Sequence, residues 1–269
     1  MNPTRIALVG DRSTAVRAHE RIPEIASRYD DVDLHWLPTA DLVPAEAAAF
    51  DGVWVVPGSP YTDEDRVIDT IRAARTGGTP LLGTCGGYQH MILEFARNVV
   101  GVGARHAESP VAGGAGGGEA GDGGSGGGEA GDAPASTALI TELACSLKGR
   151  SGQVDVVPGS RAAAALGERS FERFHCSFGL TAADAEPLVA AGLVLSGTSP
   201  EGEPRVVELP ADGFWLGTAF QPELADTQPH PVIDALVTAA RERAVRRVAD
   251  VDVAAGLAVT AGSDGVAVR

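Results

Sequence analysis

The stretch Pro80-Leu-Leu-Gly-Thr-Cys-Gly-Gly-Tyr-Gln-His90 constrains the chain more than any other. An apolar run too short for a helix ends in small residues and a helical pattern follows at once, so the backbone turns sharply with Cys85 at the apex. Gly83 and Gly87 suit such a bend, where a β-carbon would collide with the strand behind it. A helix starting just past Cys85 aims its N-terminal dipole at the sulfur and favours thiolate, the form that attacks carbonyls. Elbow amides, from Cys85 itself or from Gly86, and an amide of the Gly58-Ser59 turn are the candidate oxyanion donors. A free cysteine is more often a small packed residue, and the strand–turn–helix setting is what separates Cys85 from that reading.

The flanking pattern points to the α/β class. Short apolar segments at 5–10, 33–37, 52–57 and 80–83 alternate with helical patterns at 14–29, 63–76 and 88–100. This order implies a parallel sheet covered on both faces. Further strands are expected at 153–157, 173–178, 194–197, 205–209 and 214–218, several spaced like an antiparallel meander, before a closing helix at 231–243. Residues 111–137 contain GGGEAGD twice, at 116–122 and 126–132, and read as a flexible insert because they offer nothing for a core. No strand feeds that segment and it is acidic, which argues against a phosphate loop. The expected organisation is one domain over 1–247, interrupted by the insert, and a loosely structured tail over 248–269.

Charge and cysteine usage narrow the function. Thirty-six acidic against 21 basic residues give a net charge of −15, which repels a phosphate backbone or an anionic membrane. No apolar run approaches the roughly 20 residues of a membrane span and the first residues lack a signal-peptide layout, so a cytoplasmic location is expected. Three scattered cysteines, 85, 145 and 176, form neither a disulfide framework nor a zinc-ligand pattern, and no metal or cofactor is expected. Cys145 and Cys176 read as packed thiols, with redox sensitivity left open.

Several motifs in one order resemble a known family. IALVG at 6–10, GTCGGYQH at 83–90, LEFARNVVG at 93–101, HAES at 106–109, ERFHCSF at 172–178 and GTAFQPEL at 217–224 are similar to class I (triad-type) glutamine amidotransferases, in particular the amidotransferase domain of CTP synthase. The resemblance implies a three-layer, flavodoxin-like domain with a mostly parallel sheet and a nucleophile elbow. It also implies that Cys85 is the nucleophile and Glu223 the acid that orients a histidine. Where the family reads FHPE this chain reads Phe220-Gln221-Pro222-Glu223, so Gln221 stands in place of the proton-transferring imidazole. His175 in ERFHCSF and His90 on the elbow helix are the alternative bases, while His230 reads as a packed helix-entry residue. By the same likeness Gln89, Glu108 and Arg173 hold the substrate's amino-acid end, with Arg173 read equally well as an ordinary surface charge.

Nothing matches the synthetase half of CTP synthase, and no GxxxxGK[ST] loop is present. The expected activity is therefore a stand-alone amide hydrolase acting on glutamine or a γ-glutamyl amide or hydrazide through a γ-glutamyl thioester, with any released ammonia passing to a separate acceptor enzyme. The alternative is a catalytically impaired pseudo-amidotransferase that binds a metabolite or regulates a partner.

Overall fold

The computed structural model describes residues 3–109, 137–210 and 213–261. A nine-stranded sheet forms its centre. The strands are β1 (Thr4–Val9), β2 (Val32–Leu37), β3 (Gly52–Val55), β4 (Leu81–Thr84), β7 (Arg150–Val156), β8 (Arg169–Phe174), β10 (Val194–Thr198), β11 (Pro204–Glu208) and β12 (Trp215–Thr218), in the order β2-β1-β3-β4-β12-β11-β10-β7-β8. Pairings from β2 to β12 are parallel and those from β12 to β8 antiparallel, so the sheet is mixed, with parallel pairing confined to one half. A second sheet joins β5 (Ala104–His106), β6 (Thr137–Glu142) and β9 (Phe178–Gly179).

Continuous apolar sequence drives the central strands inward: every residue of β3, β4 and β12 is buried. The helices are α1 (Arg17–Ala26), α2 (Pro44–Ala48), α3 (Glu64–Thr76), α4 (Gly86–Phe95), α5 (Arg161–Leu166), α6 (Ala182–Ala190) and α7 (Pro231–Ala261). Alternate residues of neighbouring strands show how two of them sandwich the sheet. A β-carbon on Gly52 would point at Ala240 and Leu236 of α7, whereas one on Gly83, which faces Val55 in register, would strike Met91 of α4. The sheet is therefore the middle of three layers.

Local chemistry sets several helix ends. Asp63 caps α3 by accepting from the Arg66 amide at 3.0 Å, and Thr181 and Ser160 cap α6 and α5 in the same way. Inside α4 the fully buried Glu94 receives two bonds from Arg75, 2.9 and 2.7 Å long, which lock α3 against the elbow helix.

Some sequence expectations need correction. The first helix is shorter than 14–29, starting at Arg17 and ending at Ala26, with Pro23 inside it. The strand expected at 173–178 lies earlier, at β8, because residues 175–177 leave the central sheet and Phe178–Gly179 join the second one as β9. The closing helix runs past residue 243 to Ala261, into the segment read as a tail, in keeping with the high helix propensity of its alanines. The Gly-rich insert lies outside the described residues except for Thr137, which opens β6.

A testable consequence concerns Gly87. A β-carbon there would lie 2.1 Å from the Val55 carbonyl oxygen, a backbone atom of the strand beside it. Gly87→Ala is expected to destabilise the fold by about 3 kcal/mol or more, read by chemical denaturation. A variant as stable as the parent would refute this account of the elbow.

Candidate active site

Cys85 sits between β4 and α4 with φ 52° and ψ −104°, the one non-glycine residue with positive φ among the described residues. Such backbone strain persists only where surrounding structure enforces it. Here Gly83 and Gly87 let the strand and helix close on each other, and the Cys85 amide donates to the Thr218 carbonyl at 2.8 Å. That bond corrects one expectation: the amide of Cys85 is not an oxyanion donor. Gly86, the first residue of α4, lies against Ser59, whose amide is 3.0 Å from where a Gly86 β-carbon would stand. Among the described residues, the amides of Gly58 and Ser59 have no protein acceptor and that of Gly86 is close enough to help lower the Cys85 pKa, so together they form a candidate anion-accepting rim beside the sulfur.

The Gly58 turn is held by a residue that sequence reasoning passed over. Buried His19 donates from Nε2 to the Pro57 carbonyl at 2.6 Å and accepts at Nδ1 from the Ser13 amide at 3.0 Å. Its ring packs 3.3 Å from the position of a Gly58 β-carbon, and Gly58 has φ +123°. Burial lowers the pKa of His19, consistent with a neutral imidazole in this clamp.

Cys85 opens onto a cleft of about 430 Å³. Gly58, Ser59, Gln89, Glu108, Arg173, His175 and Gln221 line the same cleft, so residues scattered from 58 to 221 in the chain converge there. Hydrogen bonding from the Cys176 thiol, with help from Gln221 and the Gly86 amide, lowers the Cys85 pKa despite burial and the nearby Glu223 carboxyl. The Gln221 amide donates to the Arg173 carbonyl at 2.8 Å, tying its backbone to the end of β8.

Glu223 lies behind the cleft, fully buried. Its Oε1 accepts from Thr84 Oγ1 at 2.6 Å, and Thr84 in turn accepts from Trp54 Nε1 at 3.2 Å, while Oε2 has no partner among the described residues. Burial pushes its pKa up to about 7 from an ordinary 4.5. Protonation therefore favours the folded chain. The stabilisation is complete below about pH 4.5 and is lost as pH rises through 7, a decline of about 3 kcal/mol. Glu223→Gln is expected to flatten that decline, read by denaturant titration at several pH values between those limits. An unchanged pH dependence would show that Glu223 is not its source.

The histidines named from sequence stand differently. His175 is exposed and presents its backbone carbonyl, 3.9 Å from the Cys85 Sγ. His90 donates from Nδ1 to the Gly86 carbonyl at 2.8 Å and packs edge-on to Tyr61, away from the cleft lining. Among the described residues no imidazole nitrogen is hydrogen-bonded to the sulfur. His230 is a packing residue as expected: Nδ1 accepts from the Val232 amide at the start of α7, and Nε2 lies 3.2 Å from buried Glu172.

The substrate-end residues also acquire partners. Gln89 lines the cleft, but its Nε2 donates to the Phe178 carbonyl at 2.8 Å and its Oε1 accepts from Ser59 and His106 at 3.2 and 3.1 Å. His106 accepts at Nδ1 from the Glu108 amide, and burial holds its pKa down near 4. Arg173 donates to both oxygens of Asp226 at 2.6 Å. Lys148 and Arg150, which sequence reasoning missed, line the cleft with no carboxylate partner among the described residues. The only sequence signal was the pair of basic residues Lys148 and Arg150 at the start of β7.

A model of the family described as "Glutamine amidotransferase class-I" matches residues 20–125. Two curated relatives named CTP synthase, from Pyrobaculum calidifontis and Saccharopolyspora erythraea, are each 32% identical. Their alignments cover 77% and 90% of this chain but 37% and 44% of the relatives, so the chain spans about two-fifths of their length. The glutaminase domain of Trypanosoma brucei CTP synthase with bound acivicin superposes with a TM-score of 0.71 at 23% identity, over 89% of this chain and 94% of that one. A Thermoplasma acidophilum protein described as one component of a GMP synthase gives 0.60 at 15% identity, over 92% and 99%. Among the described residues, no helix is long and apolar enough to cross a membrane.

Proposed function

The chain belongs to the class I glutamine amidotransferase family, and from that premise we propose that it hydrolyses glutamine, or a γ-glutamyl amide or hydrazide, through a thioester on Cys85. The observation that carries this reading is the strained elbow, which presents a sulfur with lowered pKa to a cleft rimmed by unpaired amides. The Cys85 thiolate attacks the side-chain carbonyl, and the resulting oxyanion falls to the amides of Gly86 and the Gly58-Ser59 turn. The nitrogen takes a proton from solvent and leaves as ammonia, hydrazine or amine, and water then cleaves the thioester to release glutamate and the thiolate. Lys148 and Arg150 supply positive charge for the substrate's α-carboxylate, a task for which Arg173 is less suited while Asp226 holds it. Glu108 is the carboxylate for the α-ammonium, and Gln89 shapes the pocket wall between them.

Gln221 occupies the place where the family motif has its histidine, and an amide neither takes up nor gives a proton near neutrality. A hydrazide or aryl amide, whose nitrogen departs with less proton donation than ammonia, therefore suits this site better than glutamine. His175, exposed and offering only its carbonyl to the sulfur, is not assigned as the base. Any ammonia formed would need an acceptor.

The absence of an imidazole bonded to the sulfur among the described residues favours a second reading, a pseudo-amidotransferase that binds a γ-glutamyl metabolite without turning it over. One comparison separates the two. Glutamate release from glutamine and from a γ-glutamyl hydrazide is measured beside mass spectrometry of the chain treated with a glutamine-like chloroketone. Hydrolysis requires release together with an adduct on Cys85. An adduct on Cys85 without release supports the pseudoenzyme, and labelling of Cys145 instead of Cys85 defeats the site assignment.

A further inference from the structure

Two thiols meet at the floor of the cleft. Cys85 and Cys176 are each 7% exposed, and both line the cavity, so a small solute reaches either sulfur. Cys176 directly follows His175, whose carbonyl lies 3.9 Å from the Cys85 Sγ, so the two thiols stand on neighbouring parts of the same cleft wall. From this juxtaposition we propose that Cys85 and Cys176 close into a reversible intramolecular disulfide when a hydroperoxide enters the cleft. The modification caps the nucleophile and shields it from irreversible oxidation.

The two thiols are unequally acidic. The neighbouring Cys85 and burial push the Cys176 thiol well above the ordinary thiol range, whereas Cys85 is lowered, so Cys85 is the first of the pair to give up its proton. A low-pKa thiolate next to a resolving thiol is the arrangement that oxidises reversibly. With hydrogen peroxide, the Cys85 thiolate attacks one oxygen, the O–O bond breaks, and hydroxide leaves and is protonated to water, giving a sulfenic acid. The Cys176 thiol then gives up its proton and attacks the sulfenyl sulfur, and hydroxide departs with that proton as a second water. Two thiols have lost two electrons and two protons, all taken up by the peroxide.

Local structure favours the closing step. Cys176 stands in the irregular segment 175–177 between β8 and β9, and among the described residues its sulfur makes one hydrogen bond, to the Ala219 carbonyl at 3.9 Å, a weak contact to give up. Cys145 is exposed and serves as an internal comparison. This proposal does not depend on amide hydrolysis, so its failure would leave the reading of the reaction untouched.

The test uses the full chain, reduced, exposed to hydrogen peroxide, alkylated and digested. The expected product is one cross-linked peptide joining Cys85 to Cys176, two hydrogens lighter than its parts, with alkylation of Cys85 lost and then restored by dithiothreitol. In Cys176→Ser the sulfenic acid of Cys85 is expected to persist, be captured by dimedone, and otherwise advance to the sulfinic acid. Sulfinic acid on Cys85 with a free thiol at Cys176 in the parent chain would overturn the proposal, as would a cross-link to Cys145 or no oxidation of either sulfur. If Cys176→Ser does not fold, the parent and a Cys145→Ser variant decide the matter, since both are expected to give the same cross-link.

Discussion

Gln221→His is expected to raise the rate of glutamine hydrolysis by about 10²–10⁴-fold, the usual contribution of a positioned general acid–base. Three features of the site already await an imidazole. Gln221 lines the cleft with Cys85 and helps to lower its pKa, so a ring on the same backbone would stand beside the sulfur. Its amide is fastened to the Arg173 carbonyl at 2.8 Å, so the exchange needs no backbone movement. Behind it, Glu223 Oε2 is buried without a partner, an acceptor for the far ring N–H that would fix the tautomer and stabilise the imidazolium formed during proton transfer. Steady-state glutamate release gives the readout. The gain should appear in kcat, follow a titration in the histidine range, and shrink when Glu223→Gln is added. A folded Gln221→His chain with no gain would mean that more than the base is missing.

The second large effect is at the sulfur. Cys85→Ala is expected to lower turnover of the best γ-glutamyl substrate by at least about 10³-fold, because a covalent path loses its first bond. Binding of a substrate that is not turned over should change little, since the cations and the amide rim remain, and isothermal titration with the intact substrate by this variant separates the two effects. Turnover surviving the substitution would place the chemistry elsewhere in the cleft or reduce the site to a binding pocket.

Much of this architecture was written plainly in the chain. Glycines at 83 and 87 around one cysteine forced the elbow, and the strand–helix alternation up to residue 100 forced parallel pairing, because both are local signals. β5 and β6 were missed: three and six residues long, they pair with each other across a long sequence gap. α5, reading RAAAAL, was missed because uniform alanine carries no apolar–polar contrast from which a helical period can be read. At the site, the order of motifs located Cys85, Gln89, Glu108, Gln221 and Glu223. It did not reveal that Asp226 captures Arg173, that Lys148 and Arg150 line the cleft, or that His19 props the Gly58 turn. Those facts are distances between segments, and a single sequence does not record them.

The bond from the Gln221 amide to the Arg173 carbonyl has a genetic corollary. Codons for glutamine and histidine differ only in their third base. Since the main chain at this position is anchored independently of its side group, one nucleotide exchange would swap the residue on an unaltered scaffold. The Gln221→His variant expected above to gain activity would therefore lie a single mutational step from this chain.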